Sequence, residues 1–496
     1  MAKKKASIID EQKVVIPLDQ AIPEIVGRKA WEIPECYLEK DGRGDYKVVP
    51  IRRPSKTLLA NNIRKEVDAW RISDYQTPKG ISQTSLTLLN FWFGQDHIVT
   101  GEIFHFRFAQ REAIETTIYL YEIKGVRDNA LLAEKYMDAM AYGNDLFADR
   151  KQVVENAKSK RILTRVVPET GLLSNQDLPP AGLTRYCAKA ATGSGKTNVM
   201  ALLTVWSYFH KKFEDNSNLS QTILVIAPNV IVYERLKSDF ENGKVFYHFP
   251  FVPDEWKYDW NMTFIMREDQ VKTSTDGTFY LTNIHQIYES KAATEEDQGP
   301  IGNMLGSKPM KDSQASWLES LYDRILRHDE LLIINDEAHH VHDEELAWYK
   351  SILSFHENLI RKKKSGLSLL FDLTATPKDQ NGTFFPWIIS DYPLAQAIED
   401  KIVKTPLIVH QSDKTSPDNR QITNAYNAYN EWIQIALKRY QEHYDCYFKH
   451  LKQKPVLFIM AEDTKQANQI AEGIQGLVGF NKKDQVLVIH TKNNGE

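Results

Sequence analysis

The chain has 496 residues, 42% of them hydrophobic and 26% charged, which excludes a disordered polymer and a small disulfide-stapled module. Lys and Arg number 62 against 66 Asp and Glu, a net charge of -4, so there is no global basic field and nucleic acid would have to be held in a local cleft. Cys36, Cys187 and Cys446 show no paired spacing, which argues against a zinc or disulfide framework and fits a reducing compartment. The basic start MAKKKASIIDEQ has no apolar stretch behind it, and no run approaches the ~20 apolar residues of a membrane span. A cytoplasmic protein with no membrane partner is expected, in about three domains at roughly 150 residues each.

Residues 1–95 read as an N-terminal accessory region without an assignable chemistry. Its patch Phe91-Trp92-Phe93 would be either an interaction surface or core, the commoner use of such clusters. From Phe104 to Ile123 alternating Phe residues give way to a helical pattern with Ala113, Thr117, Leu120 and Tyr121 on one face, so a strand or extended turn should lead into a helix. Between Arg185 and Asp379 short apolar runs alternate with amphipathic helices, the mark of a parallel sheet wound with helices. Strands are expected at Arg185–Lys189, Thr222–Ala227, Thr278–Thr282, Leu331–Asn335 and Ser368–Leu373. The polar stretch Lys291–Gln314 reads as a surface insertion. Ile422–Leu451 carries Tyr426, Tyr429, Ile433, Leu437, Tyr440 and Tyr444 at steps of three and four, predicting a long amphipathic helix. Its tyrosine stripe could stack bases, although core packing is the commoner use. A strand at Val456–Met460, a helix at Thr464–Leu477 and a strand at Gln485–His490 read as the start of a second α/β domain. The expected organisation is an accessory region 1–95, a first nucleotide-binding domain 96–405 with its insertion at 291–314, a helical linker 406–452, and a truncated second domain 453–496.

The strongest chemical signal is Ala190-Ala191-Thr192-Gly193-Ser194-Gly195-Lys196-Thr197. Small residues allow a backbone to wrap a phosphate closely with its N–H groups inward, and the following helix offers its positive end. Lys196 would reach the β and γ phosphates of a nucleotide and the Thr197 hydroxyl would ligate Mg2+. Ala190 stands where the usual pattern has its first glycine. The second signal is Leu331-Leu332-Ile333-Ile334-Asn335-Asp336-Glu337-Ala338-His339, a buried strand ending in two carboxylates. There Asp336 would hold Mg2+ through water and Glu337 would orient or deprotonate the attacking water. His339, His340 and His342 lack partners at metal-ligand spacing, apart from Asp343 and Glu344, so no histidine metal site is expected. Third, Ser368–Leu373 runs into Thr374-Ala375-Thr376-Pro377, whose hydroxyls could relay the nucleotide state to a bound strand.

A phosphate loop ATGSGKT, then DEAH, then TATP on successive strands resembles a superfamily 2 DEAD/DEAH-box helicase or translocase. The wider text, including FAQREAIETTIYLYE, VIAPNVIVYERL and LTNIHQIYE, most closely resembles the helicase part of the Res subunit of type III restriction enzymes. The resemblance implies a RecA-like P-loop α/β fold, with the second domain an incomplete RecA-like one. It implies ATP and Mg2+ as cofactors and Ala191, Thr192, Gly193, Ser194, Gly195, Lys196 and Thr197 as the ATP-binding loop, with Lys196, Asp336 and Glu337 as catalytic residues. It further implies that Gln110 reads the adenine edge, that Pro228, Asn229, Thr282 and Asn283 contact the DNA backbone, and that His339, Thr374 and Thr376 couple nucleotide to strand. DNA is the implied partner, with a modification (methyltransferase) subunit or a chain completing the second motor domain beside it.

The expected function is an ATP-dependent DNA helicase or translocase motor of a restriction-like or phage-defence system. The alternative is a nonhydrolysing ATP-gated DNA-binding or assembly module, since an arginine finger would have to come from beyond Glu496. Glu122-Ile123-Lys124 and Glu399-Asp400-Lys401 satisfy a short nuclease pattern by spacing alone, and no nuclease is assigned to them.

Overall fold

The computed structural model describes residues 22–76, 80–142, 150–167, 171–266, 269, 276–283, 321–338, 347–378, 383–405, 422–452, 454–477, 479–480 and 485–489. The chain divides into two compact units, one holding the described residues up to 405 and the other those from 422 onward.

The first unit is organised by a seven-stranded sheet. Its strands in chain order are β1 (Arg185–Ala190), β2 (Thr222–Ala227), β3 (Thr263–Ile265), β4 (Thr278–Asn283), β5 (Glu330–Asp336), β6 (Gly366–Thr374) and β7 (Ile388–Tyr392). They lie side by side as β7-β1-β6-β5-β2-β4-β3, and each neighbouring pair is parallel. Parallel strands buried on both faces read as continuous apolar runs rather than alternating ones. Alternation of side chains still decides which core each residue joins. Leu332 and Ile334 of β5 face one cluster, and Leu331 and Ile333 face the other; Ile223 and Val225 of β2 part from Leu224 and Ile226 in the same way. Each such side chain, removed fully from water, contributes about 1.5–3 kcal/mol.

One face is covered by α4 (Lys196–Phe213) and α5 (Val230–Phe240), together with α1 (Leu58–Ile72), α2 (Gln83–Gly94) and α3 (Phe108–Ile118) from the region before the sheet. The other face is covered by α6 (Ala347–Arg361), through Ile352, Phe355 and Leu359. Helix α4 is buried from Val199 to His210, as expected of a helix with apolar residues all round.

The aromatic patch proves to be core. Trp92 is buried and its indole N–H donates to the Phe251 carbonyl at 2.7 Å, while Phe91 and Phe93 pack against the same cluster. Residues 22–95 share the sheet's compact unit. Helix α1 presents Leu59, Ile63, Val67 and Trp70 to the core at helical spacing and sets Arg64 and Arg71 against α3. There Glu112 receives Arg64 and Arg52, and Glu115 receives Arg71, Arg111 and the Tyr75 hydroxyl. A buried carboxylate is tolerated only when paired and hydrogen-bonded, so these arginines are what permit two glutamates inside α3.

All five expected strands are present, each within two residues of its reading. Two more strands of this sheet were not foreseen. β3 has only three residues, and β7 carries the polar pair Ser390-Asp391; Asp391 is matched by Lys189 at 2.9 Å and by the Ser55 hydroxyl at 2.6 Å. Long-range partners of this kind leave no local trace in the sequence.

In the second unit, α7 (Asn430–Leu451) and α8 (Thr464–Gln475) join through Ile433, Leu437, Ile470 and Ile474. The first half of the tyrosine stripe packs there, with Tyr426 and Tyr429 against the cluster. Further along, Tyr444 and Phe448 stack at 5.6 Å. The strands read at Val456–Met460 and Gln485–His490 are not formed in their described parts. Leu457 and Val486 pack on the helices, while Val456, Phe458 and Met460 are 88%, 80% and 86% exposed. The apolar run Val456-Leu457-Phe458-Ile459-Met460 that predicts a strand is present, but a strand also needs hydrogen-bonding neighbours. The insertion read at 291–314 lies outside the described residues.

Candidate functional site

Parallel pairing brings the motifs to one rim. Asp336 is level with Leu373, Thr374 with Lys189, Ala190 with Tyr392, and Asn283 with Ala227. Along the carboxyl edge the order is therefore Thr282-Asn283, Pro228-Asn229, Asp336-Glu337, Thr374 to Thr376, and the loop after Ala190. This is the edge at which open α/β sheets take ligands.

The loop is a cradle of free N–H groups. Gly193 and Gly195 sit at φ 80° and 90°, a left-handed region open to glycine at no steric cost. Its carbonyls are turned away and held: the Arg107 guanidinium donates to the Gly193 carbonyl at 2.9 Å, and the Gln110 amide to those of Ser194 and Gly195 at 3.2 and 3.3 Å. The Ala191 N–H goes to the Tyr392 carbonyl and that of Ser194 to Ala191. Among the described residues, the N–H groups of Thr192, Gly193, Gly195, Lys196 and Thr197 reach no acceptor. Five unpaired donors at a helix N-terminus make a site that fits a phosphate chain. Ala190 is itself buried and paired with Tyr392 at the end of β1, so an alanine at position 190 still closes the strand into the loop.

Lys196 points across the rim. Its ammonium pairs with the Glu337 carboxylate and lies 3.5 Å from Asp336 Oδ1. Asp336 is fully buried, and burial pushes its carboxyl above the usual range, with Lys196 lowering it, Glu337 raising it and Arg235 lowering it. Its Oδ1 accepts the Glu337 N–H at 3.1 Å, and its Oδ2 accepts from Arg235 Nη2 at 2.7 Å. Glu337 adopts φ 52°, a conformation costing about 1–3 kcal/mol for a non-glycine residue. The turn brings its carboxylate to Lys196. A hydroxyl at Thr197 and a carboxylate at Asp336 are hard oxygen donors, the set that suits Mg2+.

The other expected site residues are placed as follows. Gln110 is buried against the loop, its Oε1 accepting the Arg107 N–H at 3.0 Å. Asn229 is exposed and caps α5 by accepting the Val232 N–H at 2.9 Å. Pro228, Thr282 and Asn283 are buried, and Asn283 Oδ1 has no hydrogen-bond partner among the described residues. Thr374 is buried with its hydroxyl accepting the Thr376 N–H at 3.1 Å, and Thr376 is exposed. His339 lies outside the described residues, as do His340 and His342. Glu122 serves the Ser82 N–H and the Ser85 hydroxyl, and Glu399 serves the Leu38 N–H and Arg53, so both nuclease-like triplets are occupied by packing contacts.

Sequence reasoning missed several residues. Arg235 and Arg107 stand in a helix and a loop without any local pattern that marks them. Beneath the rim, Asp372 of β6 accepts from Asn335 at 2.8 Å and from Arg185 at 2.7 Å, with Arg185 stacked over Tyr349 and Trp387 at 5.0 and 4.8 Å. A charged residue inside each of two apolar strands was the available signal.

A family model described as type III restriction enzyme, res subunit, matches residues 104–379, more than half of the 496 residues. The chain belongs to this Res family. The match spans the loop, both carboxylates and the TATP strand. The Res-family domain is thus a superfamily 2 helicase-like, RecA-like P-loop motor domain, of a class that hydrolyses ATP with Mg2+. No curated protein matches the chain. Among the described residues, no helix is long and apolar enough to cross a membrane.

Proposed function

We propose that this chain is the ATP-driven motor of a DNA helicase or translocase in a type III restriction-like or phage-defence system. The observation that carries the reading is Lys196 meeting Asp336 and Glu337 on one rim above five unpaired loop N–H groups. ATP supplies the transferable phosphoryl group and Mg2+ the neutralising charge. The loop N–H groups and Lys196 bind and orient the phosphates, and Thr197 with Asp336 holds the metal. Glu337, once Lys196 turns to phosphate, would orient water and take its proton at the carboxylate. Gln110, joined to the loop by its amide, places any contact with the base in direct touch with the phosphate cradle. On the same rim Asn229 and Thr376 offer exposed polar groups to a sugar-phosphate backbone, a recognition that tolerates any sequence. Thr374 and Thr376, and His339 in the carried-over motif, would couple the two sites.

Nucleotide binding by the wild-type chain should be abolished in Lys196→Ala, and unchanged affinity would remove the site assignment. ATP hydrolysis should rise with DNA, and that rise should disappear in Glu337→Gln with binding retained. A wild-type rate indifferent to DNA would refute the motor reading.

A further inference from the structure

Helix α5 joins the two halves of the rim. It begins at Asn229, exposed and capping the helix, and anchors itself on the core through Tyr233, Leu236 and Phe240. Six residues after the cap, about 9 Å along the axis, Arg235 leaves α5 to donate to Asp336 Oδ2 at 2.7 Å. One turn further, Asp239 lies beside Thr197; burial raises its carboxyl, while Arg235 and the Thr197 hydroxyl lower it. The two oxygen donors suited to a metal, on β5 and on α4, are thus each faced by a residue of α5.

The two partners of the Arg235–Asp336 pair differ in freedom. The Asp336 side chain is 0% exposed and fixed at the end of a central strand, whereas that of Arg235 is 52% exposed. Asp336 Oδ1 accepts the Glu337 N–H and faces the Lys196 ammonium at 3.5 Å, while Oδ2, the other oxygen a cation or its water can reach, is held by Arg235. A divalent ion and a guanidinium repel one another and cannot share that oxygen. The arginine, already half in water, is the group that can leave at little desolvation cost.

Resting on the motor reading above, we propose that Arg235 is a positioning residue that contends with the metal ion for Asp336 and, through the rigid turns of α5, ties metal loading to the grip of Asn229 on a nucleic-acid backbone. With Arg235 on Asp336, α5 is tied to β5. Loading of the carboxylate releases that tie at the middle of a helix whose first turn faces the strand-binding edge. Coupling of this kind is reciprocal, so a bound strand that shifts α5 must alter metal affinity by the same factor.

The test uses the full chain, a fluorescent ATP analogue, a Mg2+ titration and a single-stranded oligonucleotide, reading binding rather than turnover. The wild type should show Mg2+-dependent nucleotide affinity linked to oligonucleotide affinity by a factor of about five or more. In Arg235→Ala the Mg2+ concentration for half-saturation should fall about fivefold and the linkage factor should approach one. Nucleotide affinity in excess chelator should be unchanged. Arg235→Lys, which keeps a cation on a flexible stem, should restore part of the competition. A merely structural arginine would weaken nucleotide binding alike with and without metal. An unchanged Mg2+ midpoint in Arg235→Ala, or a wild type without linkage, overturns the inference while leaving the Lys196-dependent site intact. Loss of nucleotide binding from the wild type itself would instead remove the site.

Discussion

Gly195→Ala tests the phosphate cradle at its tightest point. The residue sits at φ 90°, where an alanine costs about 1–2 kcal/mol. A methyl group there would also stand 2.3 Å from Gln110 Nε2. The amide would have to retract from the Ser194 and Gly195 carbonyls, which it now reaches at 3.2 and 3.3 Å, at about 0.5–1 kcal/mol for each bond. The expected loss is therefore about 2–4 kcal/mol, together with loss of nucleotide binding as the N–H groups turn. A urea-denaturation cycle separates the two parts. Gln110→Ala removes the obstacle, so the double variant should be about 1 kcal/mol more stable than the sum of the single losses implies. Simple additivity would show that Gln110 does not bear on the loop, and a Gly195→Ala protein of wild-type stability would refute the left-handed geometry itself.

Acid stability should report Glu112. Burial opposes its charge, but Arg52, Arg64 and Arg71 hold its carboxyl down to about 2 from 4.5. A depressed carboxylate pKa means stability present above 4.5 and lost as pH falls towards 2, worth about 3 kcal/mol. Denaturation midpoints between pH 6 and pH 3 should show this slope, and Glu112→Gln should flatten it while costing about 3–5 kcal/mol at neutral pH by stranding the arginines. Asp372→Ala removes the carboxylate that holds Arg185 and Asn335 under the rim. A loss of about 3–5 kcal/mol is expected by urea denaturation, and a loss below about 1 kcal/mol would show that stacking on Tyr349 and Trp387 suffices for Arg185.

The chemistry of the rim is legible in the residues alone, because it rests on local rules. A glycine-rich turn between strand and helix and two acids after an apolar run each carry their meaning within about ten residues. So do the strands Thr222–Ala227, Glu330–Asp336 and Gly366–Thr374, whose runs of Leu, Ile and Val declare burial on both faces. What the residues alone do not declare is set by partners far along the chain. Residues 22–95 give no chemical signal because their task is to meet Glu112, Glu115 and Glu399 from a distance. β7 is hidden because Asp391 is tolerable only once Lys189 and Ser55 come to it. The second unit shows the converse: an unbroken apolar run at 456–460 is written in the residues, yet a strand exists only where another backbone accepts its hydrogen bonds. Arg235 marks the same boundary. Its helix can be read from spacing, but only the order of β5 beside β2 brings the helix that follows β2 close enough to set that guanidinium on Asp336.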